Sequence, residues 1–460
     1  MTHRHVAVID IGKTNAKLAL VDLDSLTEVA VITRPNVVLS GPPWPHFDVE
    51  GHWDFLLDGL GRFHKKHGVD AISVTTHGAS AALLDMNGGL AAPILDYEHT
   101  GPDKVFEEYA AIRPPFAETG SPHLAGGLNV GAQLYWQFKV DPGLKSRTHH
   151  IVTYPQYWGW RLTGVAATDV TSLGCHTDLW NPHKGRFSSL VESLEISERM
   201  APVRAPSDVL GHVLPEISDR TGLPQGTPVH CGIHDSNASL VPYIVANEPP
   251  FSVVSTGTWV IAMSIGGKSV ELDPELDSLI KVTALGDPAF SARFMGGREH
   301  DLATGCKYPQ PTPEDLAIIL SDQIMLMPAL VPDTGPFKGQ NSKWIGVAPK
   351  PGTGARGAAV ALYLALVTAQ CLSNIGHDGP ILVEGPFAGN QLYLQMLSVA
   401  TNSDVIASGG ATGTSSGAAM LANGLAAVQH VRNTPVATPN EIARLLSVYA
   451  AKWRAQVTSP

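Results

Sequence analysis

The sequence predicts an α/β protein made of two related domains, and three observations support this prediction. Short apolar runs alternate with amphipathic or Ala/Leu-rich stretches, which is typical of α/β architecture. A strand, polar turn and second strand at residues 6–22 have a counterpart at residues 251–266. The chain of 460 residues is too long for one compact core, so we expect two or three domains.

The predicted elements follow the apolar runs in chain order. Strands are predicted at Val6–Ile11, Leu18–Asp22, Ala71–Thr75, Ala82–Leu84, Phe251–Ser255, Val260–Ser264 and Ile381–Glu384. Helices are predicted at Trp53–His67, Gln133–Phe138, Glu314–Leu320, Gly357–Asn374, Gln391–Thr401, Gly413–Asn423 and Pro439–Ala455. The Pro-containing stretch at residues 241–250 is typical of a hinge, so we place the domains at residues 1–244 and 245–460.

Composition excludes several classes of protein. With 44% apolar and 16% charged residues, the chain resembles a globular enzyme. The net charge of −11 argues against non-specific nucleic-acid binding. The N-terminus leads directly into a strand and no run approaches about 18 apolar residues, so we expect neither a signal peptide nor a membrane span. Four well-separated cysteines without a CxxC motif favour reduced thiols in a cytoplasmic protein.

The first hairpin carries an acid at the end of its first strand. Asp10 ends the apolar run, and the polar turn Gly12, Lys13, Thr14 and Asn15 follows. Turn amides and hydroxyls at such a tip can cradle phosphate, and the carboxylate can hold a hydrated Mg²⁺. The alternative is an N-terminal hairpin whose aspartate only caps a turn.

Further glycine-rich loops indicate a nucleotide site. They lie at Ser255–Thr258, Gly385–Asn390 and Gly409–Gly417. Loops that enter helix N-termini direct unpaired N–H groups and a positive dipole end at anions, so the set favours a nucleotide between two domains. The GxGxxG match at Gly352–Gly357 follows Pro349 and Pro351, which break the strand that a dinucleotide site requires. It therefore predicts a helix start.

Asp235 is the candidate catalytic base, in a segment just before the predicted hinge. Phosphoryl transfer to an alcohol needs an aspartate near the hydroxyl, a metal near the phosphates and backbone donors around the γ-phosphoryl group. Asp235, Asp10 and the glycine loops supply these three parts. The alternative is that Asp235 only caps a helix that starts at Ser236.

Two segments are candidates for binding the acceptor. His77 follows an apolar strand and precedes Gly78, and it can donate a hydrogen bond to a substrate hydroxyl. The alternative is a satisfied interior histidine. The polar cluster Asp96–His99 can grip a polyol through its carboxylates, or it is an exposed loop.

This ordered set of motifs resembles the FGGY carbohydrate kinases, a branch of the sugar kinase/Hsp70/actin ATPase superfamily, over essentially the whole chain. The D-x-G-T/S strand end of the family is similar to Asp10–Thr14, with one residue inserted before the threonine. The family's other motifs are similar to Trp158–Gly164 with Asp169 and Ser172, to Gly232–Ala238, to Ser255–Trp259 and to Glu384–Asn390.

The resemblance implies two ribonuclease-H-like (actin-like ATPase) domains that flank an interdomain cleft, with ATP between them. It implies Asp235 as the base and Mg²⁺ at the phosphates beside Asp10 and Asp235. The nucleotide-binding residues that follow are Gly12, Lys13, Thr14, Asn15, Thr256, Gly257, Thr258, Gly385, Gly389 and Asn390. The substrate-binding residues are His77, Gly78, Asp96, Tyr97, His234 and Asp235.

Departures from the family pattern fall on the sugar side and in the C-terminal domain. Thr76 and His77 stand where many members have two glutamines, Leu95–His99 replaces Trp-x-Asp-x-Arg, and the Gly-Glu-Arg signature is absent. We therefore expect kinase chemistry on a less usual ketose or polyol, closest to L-rhamnulose or L-fuculose. The alternative is an inactive actin-like regulator that binds ATP and a sugar. A small-molecule sugar is the expected partner, with no nucleic acid or membrane, and we expect a homodimer.

Overall fold

The computed structural model describes residues 3–409, 413–425 and 433–457. These residues form two compact units. Unit 1 comprises residues 3–246, 280–288 and 413–425, and unit 2 comprises residues 247–279, 289–409 and 433–457. Residues 410–412 of the predicted fourth glycine loop lie outside the described residues. The predicted limits 1–244 and 245–460 stay a prediction.

Unit 1 is built on a seven-stranded sheet. Six strands lie in the order Val209–His212, Pro228–His230, Ala71–Thr76, His5–Ile11, Asn15–Asp22 and Thr27–Pro35, and Ile233–His234 also pairs with Ala71–Thr76. The first two strands of the chain form an antiparallel hairpin, and Ala71–Thr76 lies parallel to the first of them. Most side chains of these three strands are buried, as expected for central strands covered on both faces.

Helices and short strands complete unit 1. The helices are Val49–His67, Phe106–Ala110, Phe116–Thr119, Val130–Val140, Leu144–Arg147, Tyr154–Thr163, Val170–Leu173, Ser189–Ser193, Pro215–Thr221, Asp235–Ala246 and Thr414–Met420, with 3₁₀ turns at Pro102–Val105 and Leu421–Asn423. The short strands are Val38–Leu39, His46–Phe47, Ala81–Leu84, His150–Thr153, Thr168–Asp169, Trp180–Asn181, Arg186–Phe187 and Val203–Arg204. The longest of these helices, Val49–His67, is capped by Asp48, whose carboxylate accepts from the Gly51 N–H at 3.1 Å.

Unit 2 repeats the same local design. Phe251–Thr256 and Val260–Ile265 form an antiparallel hairpin, and Ile381–Glu384 lies parallel to the first of these strands. The sheet continues through Val405–Ser408 to Asn433–Pro435 on one side and through Pro288–Phe294 to Ser278–Val282 on the other. A separate ribbon pairs Met325–Met327 with Lys343–Ile345. The shared arrangement confirms the predicted relation between the two halves of the chain.

The helices of unit 2 pack around one long, buried helix. They are Gly296–Thr304, Pro313–Ser321, Gly354–Asn374, Gln391–Thr401 and Asn440–Val457, with 3₁₀ turns at Pro274–Leu276 and Pro386–Gly389. Among the described helices, Gly354–Asn374 alone is long and apolar enough to span a membrane, but 83% of its most apolar window is buried inside the protein. Thr353 caps its start by accepting from the Arg356 N–H at 3.3 Å, so the predicted helix start is confirmed.

Candidate active site

Asp10 lies near the end of the first strand and faces a lysine on the second. The hairpin register puts Asp10 opposite Lys17, and Asp10 Oδ2 lies 3.2 Å from Lys17 Nζ. Lys17 Nζ also lies 3.2 Å from Glu28 Oε1. Burial raises the pKa of Asp10, with Lys17 opposing this shift and the nearby charge of Asp235 adding to it. The strand end therefore presents one carboxylate and one ammonium, and no sequence motif points to the lysine.

The turn after this strand is held by its own backbone and by one asparagine. The Gly12 N–H donates to the Asn15 carbonyl at 2.9 Å. Asn36 donates from Nδ2 to the Gly12 carbonyl and from its backbone N–H to the Thr14 carbonyl, both at 2.8 Å. These bonds fix the shape of the turn that the sequence assigned to phosphate.

Lys13 connects this turn to the predicted sugar-side segment. Its ammonium forms an ion pair with Asp96, lies 3.1 Å from Glu98 Oε2 and is 4.6 Å from the centre of the Tyr97 ring. Asp96 is buried, so the exposed-loop alternative does not describe this residue. Burial raises the pKa of Tyr97 to about 12, so its hydroxyl keeps its proton at neutral pH.

His77 is buried in an aromatic pocket. Its ring lies 5.0 Å from the ring of Phe47 and 4.9 Å from that of Tyr154. Nδ1 lies 2.8 Å from the Gly78 carbonyl, and because a carbonyl only accepts, Nδ1 carries the proton. Burial lowers the pKa of His77 to about 4, so the ring is neutral and Nε2 is an acceptor. Nε2 has no hydrogen-bond partner among the described residues, so His77 offers an acceptor where the sequence predicted a donor.

Asp235 stands at the start of the helix Asp235–Ala246. Its Oδ1 accepts from the Ser236 N–H at 2.6 Å and lies 3.2 Å from His234 Nε2. No hydrogen bond reaches Oδ2 from the described residues, and the side chain is 35% exposed. A Cβ on Gly78 would lie 2.7 Å from His234 Nε2, so only glycine lets the His77 turn approach this ring. The structure therefore brings His77, Gly78, His234 and Asp235 together.

A buried thiol accompanies His234. Burial opposes a charge on the imidazole, but Cys175 and Asp235 outweigh it and raise the pKa of His234 to about 9. Burial likewise opposes ionisation of the Cys175 thiol, while His176 and His234 hold its pKa well below the usual range. The raised pKa of His234 favours its protonated form beside the candidate base, and no sequence pattern predicts this.

Asp169 and Thr171 hold the backbone of this segment. The Asp169 carboxylate accepts from the backbone N–H groups of Thr171 at 2.8 Å and of Ser172 at 3.2 Å. Thr171 Oγ1 in turn accepts from the His234 N–H at 3.0 Å. The motif that contains Asp169 and Ser172 thus holds the backbone of His234 through the side-chain hydroxyl of Thr171.

In unit 2, one threonine joins the two predicted nucleotide loops. Thr256 Oγ1 donates to the Glu384 carbonyl with a bond length of 2.5 Å and accepts from the Phe387 N–H at 3.1 Å. Gly385 has a φ of +81°, and a Cβ there would collide with the Thr256 carbonyl, so the loop needs glycine at this position. The Thr256 hydroxyl is thus engaged within the protein and fixes both loops.

A cavity of about 780 Å³ lies over these loops, entirely within unit 2. Four predicted nucleotide-binding residues line it: Gly257, Thr258, Gly389 and Asn390. The other lining residues are Gly297, Arg298, His300, Asp301, Tyr308, Gln310, Pro311, Pro386 and Phe387. The volume falls in the usual range for small-molecule and cofactor sites.

Sequence reasoning missed one wall of this cavity, because residues 280–308 contain no motif that we could assign. His300 Nε2 lies 3.0 Å from the Tyr308 hydroxyl, and the His300 ring lies 6.0 Å from that of Phe387. A Cβ on Gly297 would collide with the Gly257 carbonyl, so two glycines meet at the cavity floor. The Gly-Gly pair at the first two positions of the helix Gly296–Thr304 was the signal available in the sequence.

These features define a class of protein. Both units pair an antiparallel hairpin with a parallel third strand, one unit carries the carboxylates and the other a glycine-lined cavity. This is the two-domain α/β fold of sugar kinases with the actin-like ATPase architecture.

Comparison with known proteins then gives the family. The N-terminal domain of the FGGY family of carbohydrate kinases matches residues 5–242, and the carbohydrate kinase FGGY C-terminal domain matches residues 248–431. The crystal structure of a carbohydrate kinase from Novosphingobium aromaticivorans is 35% identical, covers 99% of both chains and has a TM-score of 0.91. The chain belongs to the FGGY family of carbohydrate kinases.

More distant relatives agree with this assignment. An L-fuculokinase from Salmonella typhi is 26% identical over 272 residues, which is 57% of this chain and 57% of the relative. A rhamnulokinase from Bacillus subtilis is 29% identical over 128 residues, or 27% of this chain and 26% of the relative. The match thus spans 57% of the length of the L-fuculokinase and 26% of that of the rhamnulokinase. The crystal structure of a xylulose kinase from Lactobacillus acidophilus, at 17% identity and a TM-score of 0.75, shares the fold.

Proposed function

We propose that this protein is an ATP-dependent carbohydrate kinase that phosphorylates a hydroxyl of a ketose or polyol. The observation that carries the proposal is how the Asp235 carboxylate is held and exposed. One carboxylate oxygen is fixed by the Ser236 N–H at 2.6 Å, while the other has no hydrogen bond from the described residues and the side chain is 35% exposed. A general base needs such a held carboxylate with one oxygen free to take the substrate's proton.

The residues of unit 1 fit a magnesium ion. Mg²⁺ is usually bound through one or two carboxylates together with water and phosphate oxygens. Asp10 and Asp235 are close enough for the charge of one to raise the pKa of the other, and a cation between them would relieve that repulsion. Bound Mg²⁺ would neutralise phosphate charge, and Lys17 would add a second positive group there.

The residues of unit 2 fit the nucleotide. The cavity of about 780 Å³ offers the backbone of Gly257 and Gly389 together with the aromatic ring of Phe387. Asn390 caps the helix Gln391–Thr401 by accepting from the Tyr393 N–H at 3.2 Å, which places a helix N-terminus beside the cavity. We propose that Gly257 and Thr258 face the phosphates and that Gly385, Gly389 and Asn390 line the adenosine pocket.

The acceptor sugar would lie against His77, Gly78, Asp96, Tyr97 and His234, next to Asp235. His77 Nε2 would accept from one sugar hydroxyl, while Tyr97 would donate to a sugar oxygen. We propose L-fuculose- and L-rhamnulose-like ketoses as the first sugars to test, supported by the similarity to an L-fuculokinase and a rhamnulokinase. The expected homodimer and cytoplasmic location stay predictions.

The test is a coupled ADP-release screen with Mg·ATP. Ketopentoses, ketohexoses, 6-deoxyketoses and polyols of both series are offered to the wild type and to Asp235→Asn. Asparagine keeps the size of the side chain but cannot take a proton, so kcat on the accepted sugar should fall about 10²–10⁴-fold. Sugar phosphorylation at a near-normal rate in the variant would contradict the assignment of Asp235. Binding of ATP and sugar without any ADP release would favour the inactive regulator instead.

A further inference from the structure

Lys281 is a buried lysine for which the sequence suggested no role. It lies on the strand Ser278–Val282, in the part of that strand that belongs to unit 1, and it is 8% exposed. Its Nζ donates to Ser236 Oγ at 3.2 Å, and it forms no ion pair with a carboxylate among the described residues. A buried lysine without an acidic partner is costly, so its contact with the residue after Asp235 calls for an explanation.

Ser236 connects Lys281 to His234, because its hydroxyl contacts both side chains. Its Oγ lies 3.0 Å from His234 Nδ1, and Asn237 Oδ1 lies 3.1 Å from the same nitrogen. The Asn237 amide donates from Nδ2 to the Val282 carbonyl, which turns its oxygen toward the imidazole. Lys281 and Val282, two neighbouring residues of one strand, therefore hold Ser236 and Asn237, the two residues that contact the His234 ring.

The other ring nitrogen of His234 contacts the candidate base, Asp235. His234 Nε2 lies 3.2 Å from Asp235 Oδ1, the oxygen that the Ser236 N–H also occupies. With Oδ1 held from two sides, Oδ2 is the oxygen left for the substrate. A change in the tilt of the ring would turn the carboxylate and move Oδ2.

We propose that Lys281 is a positioning residue for Asp235, acting through Ser236 and His234 to orient the carboxylate that takes the proton. The inference rests on the proposed kinase function and extends it to a residue outside the motifs. Lys281 touches Ser236 and not the reacting groups, so its effect should appear in kcat while nucleotide binding is unchanged. A misplacement of about 1 Å at a reacting group costs about 100-fold in rate, which sets the scale of the effect.

The test is a double-mutant cycle on the accepted sugar. Lys281→Met keeps the length of the side chain and removes its donors, and Ser236→Ala removes the hydroxyl that connects it to His234. Each single variant should lower kcat about 10- to 100-fold with an unchanged KM for ATP. If Lys281 acts through Ser236, the double variant should be no slower than the slower single variant. Lys281→Arg keeps a donor and should recover most of the loss.

Controls separate positioning from folding. Lys139→Met removes an exposed lysine of the same unit, paired with Glu108, and should leave kcat unchanged. Thermal unfolding of each variant checks the fold, and if Lys281→Met does not fold, Ser236→Ala alone must still show the kcat loss. An unchanged kcat in both single variants, or strictly multiplied losses in the double variant, would overturn the inference while leaving the kinase intact. A wild type that phosphorylates no sugar would overturn the kinase function itself, and the inference with it.

Discussion

Replacing His77 by leucine should change the free energy of unfolding only slightly but should lower kcat/KM for the sugar strongly. In the structure His77 Nδ1 lies 2.8 Å from the Gly78 carbonyl, while its buried Nε2 has no partner among the described residues. Because burial lowers the pKa of His77 to about 4, the ring is neutral at pH 7 and Nε2 is an acceptor that waits for a donor. A sugar hydroxyl is the donor that we propose.

The magnitude follows from these two nitrogens. Leucine loses the hydrogen bond to Gly78, worth about 1 kcal/mol, but it also removes a buried acceptor whose unpaired state costs about 1–3 kcal/mol. The free energy of unfolding should therefore change by no more than about 1–2 kcal/mol in either direction. The substrate complex loses a full hydrogen bond to a buried site, so kcat/KM for the sugar should fall about 10- to 100-fold.

The assay compares His77→Leu with His77→Gln. Glutamine can donate from its amide nitrogen to the Gly78 carbonyl and still offer its oxygen to a sugar hydroxyl. Urea unfolding gives the stability of each variant, and the coupled ADP-release assay gives kcat/KM for sugar and for ATP. The reasoning predicts that glutamine keeps much more sugar activity than leucine, with KM for ATP unchanged in both. A leucine variant with wild-type kcat/KM for the sugar would refute the role of Nε2.

Three further outcomes are expected. Gly385→Ala should weaken ATP binding in calorimetry about tenfold or more, since a Cβ at φ +81° collides with a neighbouring carbonyl and the strained loop lines the cavity. Gly339→Ala is the matched control, because Gly339 has a similar φ of +80°, open space at its Cβ and no place in the cavity lining. Burial lowers the pKa of His52 from 6.5 to about 4. The unfolded chain thus takes up this proton first as the pH falls, so His52 should contribute a loss of stability of up to about 1.4 kcal/mol per pH unit between pH 6.5 and 4. His77 should contribute a similar loss, so unfolding curves of His52→Gln should keep a pH dependence but with a smaller slope. Tyr308→Phe removes the 3.0 Å contact with His300 and should raise KM for ATP about 3- to 10-fold without changing kcat, and an unchanged KM would exclude this wall from the nucleotide site.

The sequence predicted the elements well because hydrophobic periodicity is a local property. Every predicted strand and helix is present, within four residues of its predicted ends. The strand Ile381–Glu384 and the helix Gln391–Thr401 have the predicted bounds, since a glycine or an asparagine cap marks where they begin or end. The repeated hairpin was also visible, because each copy keeps an apolar strand on both sides of a small polar turn.

The groups that the sequence missed are set by pairing and burial rather than by motif. Lys17 lies opposite Asp10 because of the register of the hairpin. That register depends on the exact turn, so the pairing of residues seven positions apart follows only once the turn is known. Lys281 comes to Ser236 from 45 residues away, and no local pattern encodes that contact. Which ring nitrogen of His77 donates and which accepts depends on which of them contacts a carbonyl. Only the three-dimensional structure shows that contact.

The two hairpins explain why the units can share a fold and still carry different chemistry. In the first, Asp10 pairs across the strands with Lys17, so the strand end bears opposite charges beside a polar turn. In the second, Ser255 pairs with Ile261, and the strand end carries no charge. A metal needs a carboxylate such as the one at the first strand end, whereas an uncharged strand end beside glycine loops avoids repelling the phosphates of a nucleotide. This difference at one register position fits a proposed metal site in unit 1 and a proposed nucleotide site in unit 2, while the proposed base, Asp235, lies outside the hairpin on the helix Asp235–Ala246.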